Sequence, residues 1–468
     1  MPGHHILASI EEGLRRVPLL DCHTHLDARH LAARGLHDIL LYHMVISDLY
    51  AAGCPSGARL SDDPSDEEAH GRIVEALPYL RFIGNTSCFW GLRIILRDLY
   101  GWTEPITEDN WRQLDGIIRE RAEEGEWARE VLRKAVIRRV CTEIVKRGDG
   151  SADDVLQYAL EWAFFARAQW GVNDIPLYEL EATWGQDQPA PPLPVTLEPH
   201  PLPPLCARSV RYAGEGVQKG SRPPVARQIR SVADVQEAIR HYCDLLPWGE
   251  VIATAQHLST DIDYREVADA EMEAALARRE QATEAERDVY ASYLLHAFLG
   301  ELERRGGGMV FQFSLGAEPL PFETASRLSQ RTLGQVAEIV ARYPGVRFMC
   351  FLASRHANQS LCTLARELPN FSLAGYWWHN FFPSVIQQIM DERLDMLPAN
   401  KQMGFFSDAY TVEWAYAKAV LVRRQMAEVL ARRVRRGQYT EEEALAVAEA
   451  ILYEAPRQAL GMEAGKFG

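Results

Sequence analysis

The chain has 468 residues, enough for two or three domains, although an elaborated α/β barrel also reaches this size as one unit. Apolar residues make up 47% and charged residues 25%, an ordinary globular composition, and no apolar run reaches membrane-spanning length. Acidic residues outnumber basic ones by 65 to 50, and the net charge of −15 argues against nucleic acid or an anionic membrane as partner.

The N-terminus lacks the basic region, apolar stretch and cleavage site of a secretory signal, so a cytoplasmic location is expected. The eight cysteines are scattered with no C-x-x-C pair, which predicts reduced core thiols rather than a disulfide framework or a cysteine zinc site. Oligomeric state is not encoded in any pattern, and a homo-oligomer stays open.

In chain order, a helical pattern over residues 6–16 leads into the apolar run Val17-Pro18-Leu19-Leu20, which ends in Asp21-Cys22-His23-Thr24-His25. That is the pattern of a barrel strand reaching its functional end. A Gly/Pro/Asp-rich stretch over 54–66 is read as loop, and residues 67–147 as mostly helical. Residues 186–204 are rich in proline and read as an extended loop.

Apolar, β-prone runs then recur at 250–256, 309–315, 346–352, 371–378 and 403–407. Helical patterns separate them, at 264–305, 322–343 and 383–394. Such alternation predicts a parallel sheet with helices outside it, its strands apolar on both faces. A long amphipathic helix over 412–436, and another opened by the capping box Thr440-Glu441-Glu442-Glu443, close the chain. The expected fold class is α/β, a (β/α)8 barrel of TIM type. One unit would span 1–468, with a helical insertion over 60–135 after the first strand.

The strongest chemical signal is His23-Thr24-His25. Alternate residues of a strand share a face, so positions 21, 23 and 25 point to one side and two imidazoles can reach one metal ion. The other reading is two polar residues ending a strand. The second signal is Met403-Gly404-Phe405-Phe406-Ser407-Asp408, a short strand ending in a carboxylate. Asp408 can ligate a metal or serve as a base, or it can be the N-cap of the helix that follows.

Leu20-Asp21-Cys22-His23-Thr24-His25-Leu26 resembles the opening D-x-H-x-H of the amidohydrolase superfamily, and residues 451–461 are similar to the segment that ends many such barrels. Further stretches narrow the resemblance to the uronate isomerases. Ile83-Gly84-Asn85 with Trp90 resembles their G-N-P-x-x-x-W, and Gln312-Phe313-Ser314-Leu315-Gly316-Ala317 their Q-L-H-x-G-A. Trp377-Trp378-His379-Asn380 resembles W-W-F-N-D, and residues 403–408 resemble V-G-M-L-T-D-S-R. The landmarks fall in the right order over most of the chain.

The resemblance implies aldose–ketose interconversion of a hexuronate or related polyhydroxy acid. It implies one divalent metal ion, for which zinc suits the ligands, held by His23, His25 and Asp408. Asp408 would also move the proton, with Tyr410 assisting. Departures from the family imply altered specificity. Ser314 stands where the family has a histidine, Tyr410 where it has an arginine after the final Asp, and Met44 and Ser47 replace a tyrosine and an arginine, while His43 matches. Neither Tyr nor Ser supplies the cation that clamps a carboxylate.

Arg93 and Arg355 are the candidate substitutes, and Trp377 and Trp378 candidate lining residues; His257, His356 and His379 also follow strands. A hydrolase or decarboxylase on the same metal, and a catalytically silent barrel, are the competing readings.

Overall fold

The computed structural model describes residues 2–56, 63–161, 184, 228–258, 260, 262–278, 281, 283–319, 324–326, 328–376 and 381–462. In chain order the strands are β1 (Leu19–Asp21), β2 (Ile137–Glu143), β3 (Leu156–Glu161), β4 (Val251–Leu258), β5 (Val310–Leu315), β6 (Ala317–Pro319), β7 (Thr324–Ser326), β8 (Arg347–Leu352), β9 (Phe371–Ala374) and β10 (Gln402–Met403). Two compact units emerge, Met1–Gln157 with Ala374–Gly468, and Tyr158–Leu373.

In the first unit β1 runs parallel to β2, with Leu19 opposite Ile137 and Asp21 opposite Val140. Past Asp21 the chain stays between two neighbours. Thr24 N donates to Cys141 O (2.8 Å) on one side, and His25 N donates to Ala409 O (2.9 Å) on the other. The first strand therefore lies between the second strand and the stretch after β10.

Helices fill the interval between β1 and β2, among them Asp66–Ala76, Ser87–Tyr100, Trp111–Ala122 and Trp127–Lys134. Their ends are set by local chemistry. Ser65 and Thr86 accept from Glu68 N and Phe89 N as N-caps, and Gly101, at φ 67°, ends Ser87–Tyr100 in the left-handed conformation that glycine tolerates best.

The core of this unit is the helix Val412–Arg435, buried nearly all round and packed on the helices Pro2–Leu14, Ser87–Tyr100, Trp127–Lys134 and Pro383–Met396. Its buried polar residues are paired, as burial requires. Glu413 accepts from Ala33 N (3.0 Å), Tyr100 OH (2.9 Å) and Trp127 Nε1 (3.0 Å). Gln425 accepts from Gln387 Nε2 (2.8 Å), and Arg433 donates to Asp395 (2.7 Å). The close approach of Ser87–Tyr100 needs Gly91, where a Cβ would lie 2.9 Å from the Phe381 ring and 3.1 Å from Trp414.

In the second unit β3, β4, β5, β8 and β9 are successive neighbours, with parallel ladders pairing Tyr158 with Val251, Ala253 with Val310, and Val310 with Arg347. Phe311, Phe313, Phe348 and Phe371 form an aromatic core with centroids 5.7–6.4 Å apart. Helices alternate with these strands, as the sequence predicts. The pattern over 264–305 divides into Asp269–Arg278 and Glu284–Arg304, because Thr283 and Glu286 form a capping box that starts a new helix. β6 and β7 add a small antiparallel pair where helix was expected to begin.

The last strand is shorter than predicted. Only Gln402 and Met403 join the ladder, because Gly404 N donates instead to Ile451 O (2.8 Å) and Ser407 N to the Asp21 carboxylate (2.7 Å). Gly404 lies so close to the C-terminal turn Ala450–Glu454 that a Cβ there would collide with the Ile451 side chain. The seven cysteines of the described residues are buried thiols. Among the described residues no helix is long and apolar enough to cross a membrane.

Candidate metal centre

His23, His25 and Asp408 all belong to the first unit, and the structure brings them together. Their ligand atoms lie within 4.8 Å of one another. His25 Nε2 is 3.2 Å and His23 Nε2 3.7 Å from Asp408 Oδ1, and the two imidazoles meet edge-on at 5.1 Å. Two imidazoles and a carboxylate converging in this way form a donor set that suits a divalent cation with positions left open for other ligands.

Asp408 is not the N-cap of the following helix; Thr411 occupies that position. Instead Asp408 takes φ 54°, one of two non-glycine residues with positive φ among those described. The left-handed conformation costs about 1–2 kcal/mol, and it persists only where surroundings impose it. They do so here through Asp408 N, which donates to His23 O (3.1 Å), and Asp408 O, which accepts from Tyr42 OH (2.8 Å).

Behind the triad stands a second layer. His25 Nδ1 is hydrogen-bonded to Glu143 Oε1, at the end of β2, which turns Nε2 toward Asp408. Lys146 Nζ donates to Glu143 Oε1 (2.9 Å) and to His25 O (3.1 Å). Burial disfavours the charged form of His25, but Tyr410, Glu143 and Asp408 outweigh it and raise the imidazole to about 10. His23 is pushed the other way, to about 4, by burial and by the charge of His25.

Burial also works against the Glu143 carboxylate, yet His25 and Lys146 hold it down to about 2. For Asp408, burial is overcome by the hydrogen bond and charge of His25 and by Lys418 and His43, which keep the carboxylate below the ordinary range. Asp21, the last residue of β1, is raised to about 7 by burial.

Tyr410 stacks on His25 at 4.9 Å and meets His43 at 5.4 Å; His43 Nε2 lies 3.9 Å from Asp408 Oδ2. Ser47, one turn along from His43, bonds back to His43 O (3.1 Å). Arg93 is exposed on its helix, as is Arg355 on the short turn after β8. Ser314, in the second unit, is paired with His257 Nδ1 (3.0 Å), and His356 is exposed. Trp377, Trp378 and His379 lie outside the described residues. Lys146, Tyr42 and Lys418 were not singled out from sequence, and Glu143 only as standing, with Thr142, where the uronate isomerases have T-T-D-D-P; for Lys418 the available signal was one charge inside an apolar helical stripe.

No protein-family model matches the sequence, and no curated protein matches it. Solved structures do. The uronate isomerase of Thermotoga maritima shares 12% identity at a TM-score of 0.72, covering 97% of both chains. The uronate isomerase of Bacillus halodurans shares 16% at 0.69, over 98% of this chain and 97% of that one. The glucuronate isomerase of Caulobacter crescentus shares 14% at 0.74, over 98% and 94%. The fold is that of these isomerases. It is the α/β, TIM-type architecture expected from the strand–helix alternation, and the first-strand histidines and the late-strand aspartate meet at one site within it.

Proposed function

We propose that the protein is a metal-dependent isomerase of a sugar acid or related polyhydroxy compound, with a specificity shifted from that of the uronate isomerases. The observation that carries this reading is the convergence of His23, His25 and Asp408 in a chain that follows the uronate isomerase fold over almost its whole length. Zinc is the proposed ion, since imidazole and carboxylate ligands suit it. A cytoplasmic location goes with this reading, as does a small-molecule substrate rather than nucleic acid or membrane.

A bound divalent cation supplies Lewis-acid polarisation of a substrate oxygen, which lowers the cost of enediol-like charge. The chain's own groups do the rest. Asp408 Oδ1 faces the two imidazoles, and Oδ2, with His43 Nε2 at 3.9 Å, is the oxygen placed to carry a proton between adjacent substrate carbons. Tyr410 covers the face of His25, shielding it from water and offering a phenol to a substrate oxygen.

Carboxylate recognition falls to Lys146, whose side chain is 22% exposed. Glu143 already neutralises part of that charge, so the anchor is weaker than a pair of arginines. Arg93 and Arg355 are the competing candidates; Ser314, Trp377 and Trp378 are proposed only as lining residues.

The test is a screen of hexuronates, aldonates and neutral sugars with zinc-loaded protein in deuterated water, followed by NMR. Isomerisation with deuterium uptake at the carbon beside the carbonyl is the expected result. Hydrolysis or decarboxylation products, or no turnover of any compound, would overturn the proposal.

A further inference from the structure

Lys418 is a charged group beside the site that the proposed chemistry leaves without a task. It sits early in the helix Val412–Arg435 at 1% exposure, an expensive place for an ammonium. Its three donors meet three acceptors: Tyr42 OH (2.7 Å), Ser407 O, and Asp408 O at 3.5 Å. Tyr42 OH in turn donates to Asp408 O (2.8 Å), and the Tyr42 ring is stacked on Trp414 at 4.5 Å, which fixes where that hydroxyl stands. All of these contacts converge on the main chain of Ser407 and Asp408, the turn that puts Asp408 at φ 54°.

We propose that Lys418 is a positioning residue which, together with Tyr42, clamps the Ser407 and Asp408 carbonyls and so holds the Asp408 carboxylate against His23 and His25. The clamp rests on the metal-centre reading and gives a residue outside the ligand set the task of making the third ligand available. Strain at Asp408 has to be imposed by neighbours, and main-chain carbonyls are the handles by which an ammonium and a phenol can impose it. Release of the clamp lets the peptide return to the common right-handed or extended regions. The carboxylate then leaves its place beside the imidazoles, while the ligands themselves remain in the chain.

The experiment compares wild type, Tyr42→Phe, Lys418→Met and the control Gln425→Leu. Gln425 is a buried polar residue of the same helix whose partner is Gln387, so its loss strips a hydrogen bond without touching the turn. Zinc affinity is measured by competition with a chromophoric chelator, and metal-free unfolding by calorimetry. Tyr42→Phe and Lys418→Met should weaken zinc binding about 10–100-fold, as loss of a supporting partner does, while Gln425→Leu lowers the unfolding temperature and leaves zinc affinity within about twofold of wild type.

If Lys418→Met does not fold, Tyr42→Phe decides alone. Folded Tyr42→Phe or Lys418→Met protein with wild-type zinc affinity would overturn the clamp, as would equal losses in the control. A wild type that binds no zinc would overturn the metal centre itself, and the clamp with it.

Discussion

His25, just past β1, and His257, inside β4, are both buried or nearly buried imidazoles on parallel strands, one in each unit, and their immediate partners differ in kind. His25 has carboxylates on both ring nitrogens, Glu143 on one side and Asp408 on the other, and a second histidine two residues away. His257 has a serine hydroxyl on Nδ1. The first arrangement gathers negative charge and aims a nitrogen at it, which is what a cation needs. The second sets an uncharged hydroxyl against the ring nitrogen. Residue type therefore says little by itself; the groups brought up by other strands assign the role.

The sharpest test of that contrast is Asp408→Asn, which keeps the shape and removes the ligand charge. Zinc at about 100 times its Kd should stabilise wild type by about 2.7 kcal/mol and the variant not at all, in paired thermal scans. Equal stabilisation of the two would place the ion elsewhere.

Next in size is turnover of D-glucuronate and D-galacturonate by the zinc-loaded protein. The arginines of the uronate isomerases are absent at Ser47 and Tyr410, and a charge-assisted hydrogen bond is worth about 1.5–3 kcal/mol. A kcat/KM roughly two or more powers of ten below the usual 10⁴–10⁸ M⁻¹s⁻¹ range is expected, and ordinary efficiency would show that another cation took over. Lys146→Met, Arg355→Ala and Arg93→Ala would then identify it.

Glu143→Gln should reduce zinc affinity about 10–100-fold by loosening His25, with the loss read by chelator competition. An unchanged affinity would reduce Glu143 to a packing role. The smallest effect is expected at the other histidine. Ser314→Ala should cost about 0.5–1.5 kcal/mol in denaturant unfolding and leave zinc affinity as it was. A large fall in kcat/KM at unchanged stability would instead make Ser314 a substrate contact and erase the contrast between the two histidines.

The convergence of His23, His25 and Asp408 was legible because each of them ends an apolar run, and strand alternation alone puts His23 and His25 on one face. The second layer was not legible, because it depends on distant pairings. Glu143 is 118 residues from His25, and nothing local in Thr142-Glu143 distinguishes a partner for imidazole from a surface acid.

Asp408 shows the limit from the other side. Its residue type and position suited both a ligand and a helix cap, and only the left-handed turn, with Thr411 taking the cap position, removes the second. The parallel strands of the second half were read well because strands buried on both faces are apolar throughout. The last strand was overestimated for a related reason: Gly404 to Ser407 are buried and apolar enough to look like strand, yet Gly404 N turns to the C-terminal turn and Ser407 N to a side chain, leaving Phe405 O with one long main-chain bond from Cys22 N (3.5 Å).

The seating of Gly404 against Ile451 bears on how this chain can diversify. The segment that presents Asp408 rests on residues almost at the end of the chain, with a main-chain bond and no room for even a methyl group between them. Mutational drift on that side is confined, because a larger residue at 404 or a frameshift near 450 would dislodge the segment that carries Asp408 rather than merely trim a tail. Change is therefore more readily accommodated around His43, Lys146 and Tyr410 than in the last strand, which the turn at 450–454 holds as a keel.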